Sequence, residues 1–188
     1  ANSEEPSHFH LLAETLHASG KTNEAFEVYE SAGKSLKKAK AETLRANFAG
    51  FILDDHLTDY ATELLKKNNS PFLAITLIRV VGVSGSKEQV LRVAKAVTSQ
   101  TIPAADQFVL ADALAKSKEN TAAAEWYGKV LAVPNAKQQI AAAKGLANIG
   151  APKQAASFFS ELLKTQPQDF ISDTNLLIAA AKTADASL

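Results

Sequence analysis

The sequence predicts an all-α protein, a right-handed α-solenoid of about five helix-turn-helix units with a C-terminal capping helix. Three observations carry this. Pro71, Pro103, Pro134 and Pro167 recur at intervals of 32, 31 and 33 residues, and a proline ends one helix or opens the next. Between them lies a second comb: Ala25, Leu57, Val90, Ala123 and Ala155. Tyr29, Ala61, Ala94, Tyr127 and Phe159 follow these by four residues, and Ala32, Leu64, Val97, Val130 and Leu162 by seven. Offsets of four and seven mark one helix face. No hairpin signal and no sustained period-two alternation competes with this reading.

The units fall at 7–38, 39–70, 71–102, 103–134 and 135–167, with a capping helix over 168–184, and residues 1–188 read as one domain. Each unit opens with its own apolar helix face. The sets are Phe9, Leu12 and Leu16; Leu44, Phe48 and Phe51; Leu73, Leu77 and Val81; Phe108, Leu110 and Leu114; and Ile140, Leu146 and Ile149. Ser19-Gly20 and Ile149-Gly150 supply glycine for a left-handed helix end. Gly82, Gly85 and Ser86 separate the third pair, and Asp54-Asp55 and Lys118-Glu119-Asn120 are polar turns. No unit can bury its stripe alone, so the units stack, and the last helix covers the final face.

Composition excludes several function classes. The 188 residues carry 20 basic and 20 acidic side chains, a formal net charge of zero, which argues against nucleic-acid binding. No cysteine is present, so disulfides, thiolate metal sites and a cysteine nucleophile are excluded. The longest apolar run, Phe72 to Val83, is too short to span a bilayer and contains Arg79. The chain opens at Ala1 with no basic or apolar leader. The lack of both methionine and cysteine leans toward an exported, periplasmic bacterial protein over a cytoplasmic one.

The first unit carries Phe9, Leu12, Ala13, Leu16, Gly20, Ala25, Tyr29 and Ala32; the fourth Leu110, Ala111, Leu114, Ala123, Tyr127, Val130 and Pro134; the fifth Leu146, Gly150, Ala155, Phe159, Leu162 and Pro167. At these spacings the chain resembles the tetratricopeptide repeat family. The second and third units are degenerate, with Arg45 and Ile78 where the family has a small residue. The resemblance implies a scaffold whose first helices line a concave groove for an extended peptide or partner helix. Carried onto this chain, the groove residues are His10, Glu14, His17, Glu42, Arg79, Asp112, Lys116, Lys144 and Asn148. The lysine and asparagine set with which some members clamp a terminal carboxylate is not reproduced.

Chemistry-bearing motifs are sparse. There is no phosphate-cradling glycine loop, nucleophile elbow or HExxH motif. His10, Glu14 and His17 share one helix face at ligand spacing, but a solvated face is the preferred reading, and neither metal nor cofactor is expected. Asp54, Asp55 and Asp59 read as helix-capping charge. Lys34, Lys37, Lys38 and Lys40 read as a solvated helix end. Trp126 reads as core. The expectation is a non-enzymatic protein–protein interaction scaffold that binds a peptide or helix, with envelope assembly or secretion as one setting. The alternatives are an accessory region of a larger enzyme and a homo-oligomer assembled through Leu176, Leu177, Ile178 and Ala180 of the last helix. RNA recognition is disfavoured by the neutral charge and the short period.

Overall fold

Residues 5–54, 56–165 and 180 are described by the computed structural model. Among them stand ten α-helices and no strand: α1 (Pro6–Ala18), α2 (Thr22–Ser35), α3 (Lys38–Asp54), α4 (Thr58–Lys67), α5 (Pro71–Ser84), α6 (Lys87–Ala96), α7 (Ala104–Lys116), α8 (Asn120–Leu131), α9 (Ala136–Asn148) and α10 (Pro152–Thr165). They divide between two units, Ala1–Ile102 and Pro103–Leu188. The expectations for Pro167 and for the capping helix 168–184 lie outside the described residues, Ala180 aside.

Local chemistry sets the helix ends. Pro6 and Pro71 occupy first-turn positions of α1 and α5, where the missing N–H costs nothing. Pro103 directly precedes α7. Ser70 Oγ accepts from Leu73 N at 3.1 Å. Ser86 and Gln89 form a reciprocal capping box at α6, and Asn135 accepts from Gln138 N at α9.

Four of the turns inside helix pairs share one device. Residues 20, 56, 118 and 150 have φ of 78°, 56°, 61° and 76°. In each case the following N–H reaches back five residues: Lys21 to Leu16, Leu57 to Ile52, Glu119 to Leu114 and Ala151 to Leu146. This is the Schellman closure. Glycine supplies two of the four left-handed positions; His56 and Lys118 hold the others, at a steric cost glycine avoids. The third pair differs. Gly82 lies inside α5 rather than in the break, and Gly85 is extended, at φ −67° and ψ 135°. The buried run continues to Val81, so packing carries the helix through Gly82.

In the first unit α1 packs on α2 and α3, and α3 on α5. Side-chain ties show the directions. Glu5 meets Lys40 and His17 meets Phe51, so α1 and α3 run alongside each other. Glu42 meets Arg79 and Phe48 meets Phe72, so α5 runs against α3. Glu30 meets Ser70 and Gly33 lies on Phe72, so α5 runs alongside α2. The third pair therefore does not repeat the first two. The reason is visible in α5 itself. Phe72, Leu73, Ala74, Ile75, Thr76, Leu77, Ile78, Val80 and Val81 are all buried, on every side, because α2, α3, α4 and α6 surround the helix. Arg45 and Ile78, the two residues out of place in the repeat pattern, pack at this departure. Ile78 is fully buried, and the Arg45 guanidinium lies 4.6 Å from the centre of the Phe72 ring.

Beside α5 sits an aromatic cluster. Tyr29 stacks on Phe48 at 4.1 Å, and Phe26 meets Phe48, Phe51 and Tyr60 edge-on at 5.0, 6.0 and 5.2 Å. Each fully buried ring contributes about 1.5–3 kcal/mol of transfer free energy.

Three expectations need correction here. Phe9, Leu12 and Leu16 are not core: Phe9 and Leu16 are half-buried and Leu12 is 49% exposed, because no helix among the described residues covers that side of α1. In α4 the buried face is Thr58, Ala61, Thr62 and Leu65, one residue round from the Leu57 and Leu64 comb. Leu57 is spent on the N-cap, which turns the helix relative to the simple count. Lys38 and Lys40 belong to the first turn of α3, where the dipole disfavours cations; Lys40 is offset by Glu5 at 2.8 Å.

In the second unit α7 packs on α8 and α9, and α9 on α10. Ala111, Ala123, Ala142, Ala143 and Ala155 are fully buried. Such side chains let helix axes approach to the short end of the usual 8–10 Å. Trp126 is buried, with Lys129 Nζ 3.6 Å from its ring centre.

Candidate functional site

The groove residues assigned from sequence fall into separate settings. In α1, His10 Nδ1 bonds the Tyr29 hydroxyl and its Nε2 lies 3.4 Å from Glu14. His17 Nδ1 bonds Thr22 Oγ1 at 2.9 Å, and its ring meets Phe51 edge-on at 5.3 Å. The two imidazoles thus tie α1 to its neighbours in different places. Among the described residues, no three histidine, aspartate or glutamate side chains converge as metal ligands.

Glu42 and Arg79 do meet, with a third partner that the sequence reading gave no site role. Arg79 Nη1 donates to Glu42 Oε2 at 2.7 Å, and Arg45 donates to Oε1. Burial alone raises the Glu42 carboxyl; the bonds and charges of Arg79 and Arg45 outweigh it and hold the group below the usual carboxylate range. Arg45 is 9% exposed. This bridge ties α3 to α5.

In the second unit Asp112, Lys144 and Asn148 gather around one cleft of about 330 Å³ between α7 and α9. Phe108 and Ile149 form apolar walls, and Tyr127 reaches in from α8 as the floor. Lys116 is outside the cleft lining and bridges Asp112 at 2.7 Å one helical turn away. Burial, with the Asp112 charge second, pushes the Tyr127 phenol up to about 12. Gly145 makes the floor possible. A Cβ there would lie 2.4 Å from Tyr127 Cζ, far inside normal contact. The sequence places Tyr127 only in the repeat pattern and gives Gly145 no role. The available signal was a glycine inside an otherwise good helix, which marks a close approach.

The cleft lies at the small end of ligand pockets. It has room for a side chain or two, with an ammonium, a carboxylate and an amide in its lining. No pair of carboxylates and no nucleophile with an adjacent base lines it.

No helix among the described residues is long and apolar enough to cross a membrane. Comparison with family models, with curated proteins and with solved structures gives no match.

Proposed function

We propose that this chain is a non-enzymatic scaffold of tetratricopeptide-like helix pairs that holds an extended segment of a partner protein at the α7–α9 cleft. One observation carries the reading: Asp112, Lys144 and Asn148, assigned from sequence to the first helices of successive pairs, converge on one cleft with an apolar floor and walls. An apolar side chain of the partner enters between Phe108 and Ile149. Lys144 and Asn148 meet the polar backbone or a carboxylate there, while Tyr127 O–H and the Asp112–Lys116 pair orient it. Recognition by preformed side chains on rigid helices limits the ordering cost of binding. The test is capture of a partner from the source extract by the wild-type chain and by Lys144→Glu, with helicity matched by circular dichroism. Capture by the wild type and loss in the variant supports the reading; equal capture by both sinks it.

A further inference from the structure

A second surface, apart from the cleft, lies in the first unit. α1 and α2 form a hairpin whose outer side is an open groove of about 590 Å³. Its apolar lining comes from Phe9, Leu12 and Leu16 on α1 and Val28 on α2, and its charged lining residues are Glu24 and Glu27. Leu12 is 49% and the neighbouring Leu11 62% exposed. These are two of the three large hydrophobics that stand out among the described residues, the third being Val83. An apolar row at positions 9, 12 and 16 has the period of a helix face, and the space between two antiparallel helices receives a third helix, ridge into groove.

Charge decides the occupant. The lining contains two glutamates and no lysine or arginine. Lys21 reaches Glu24 at 3.3 Å, which leaves the groove acidic through Glu27. A second copy docked symmetrically would bring the same patch, with two glutamates and no lysine or arginine in its lining, against itself. The chain's own residues 166–188 carry Asp169, Asp173 and Asp185 against Lys182 alone, so they bring the wrong sign. We infer that the α1–α2 groove docks a basic amphipathic helix of a partner protein, its apolar residues on Phe9, Leu12 and Leu16 and a lysine or arginine on Glu27.

The probe is a labelled synthetic helix of about 15 residues, long enough to hold helical structure, with leucines on one face and lysines on the flanks. A matched peptide carries glutamate for lysine. Fluorescence anisotropy reads binding to the full chain. The lysine peptide binds, its affinity falls with added salt, and Leu12→Ser and Glu27→Lys each weaken it by about tenfold or more. Glu63→Lys, a charge change on α4 away from the groove lining, leaves it unchanged. Because Leu12 is half exposed, its loss does not unfold the unit, and melting curves verify this. Equal binding of the glutamate peptide, or unchanged binding by Leu12→Ser, overturns the inference. So does a dimer of the wild-type chain in sedimentation that dissolves on Leu12→Ser, since a second copy is then the occupant.

Discussion

Replacing Gly145 by alanine asks whether the cleft floor is built as described. The added Cβ would meet Tyr127 Cζ at 2.4 Å, Cε1 at 2.6 Å and Cε2 at 2.8 Å. Tyr127 is 2% exposed and borders the cleft, so its ring can yield only by moving toward that cleft. It must shift by about 1 Å to restore ordinary contact, an overpacking that costs about 1–3 kcal/mol. Alanine in a helix interior returns about 0.8–1 kcal/mol over glycine. The net expectation for Gly145→Ala is a loss of about 0–2 kcal/mol. Gly128, in α8 of the same unit, has nothing within 4 Å of its Cβ position, so Gly128→Ala receives the gain alone. The two variants therefore differ by about 1–3 kcal/mol, or at least about 4 °C in melting temperature for a unit of this size. Thermal and urea melts followed at 222 nm measure it. Equal stability of the two variants would refute the Tyr127–Gly145 contact and the floor built on it.

Other predictions follow from the turns and the charges. His56→Gly and Lys118→Gly relieve left-handed positions at φ of 56° and 61° and each stabilise by about 1 kcal/mol, whereas Gly20→Ala destabilises by about 1–2 kcal/mol; urea midpoints report all three. The Glu42 carboxyl is held below its ordinary 4.5, so its contribution is complete above that pH and is lost as pH falls through the folded value; Glu42→Gln flattens this acid limb in a midpoint-versus-pH series. Glu30 has the opposite sign. Burial raises it against the Ser70 hydrogen bond and Lys34, so its charged form costs stability above the raised value and that cost fades toward 4.5. Glu30→Gln is then more stable than wild type at neutral pH, and the advantage disappears in acid. Leucine at Ala123, fully buried in α8, overpacks the second unit and lowers its stability by about 1–3 kcal/mol.

The helices themselves were legible because period and punctuation agree at Pro71, at Gly20 and at Gly150. The position of α5 was not. Its neighbours follow from long-range packing, which a repeat count does not contain; the apolar run Phe72–Val83, interrupted only by Thr76 and Arg79, is the available signal. Exposure of Leu12 is not legible for a related reason: a three-residue apolar stripe looks the same whether a neighbour covers it or not. Of the site, Asp112, Lys144 and Asn148 came from carrying the repeat family's groove pattern onto this chain. Tyr127 and Gly145 required the approach of α8 to α9, and Arg45 required the position of Phe72 on a different helix. The separation of His10 from His17 depended on side-chain partners, Tyr29 and Thr22, contributed by α2.

The most direct measurement is site-specific photo-crosslinking in the source extract. A benzophenone side chain is placed at Asn148, in the cleft lining, and in parallel at Lys153, an exposed residue on α10 outside that lining. The account predicts a partner adduct from position 148, absent from position 153, and lost when Lys144→Glu is added. Adducts of equal yield from both positions, or an adduct at 148 that survives Lys144→Glu, would contradict it.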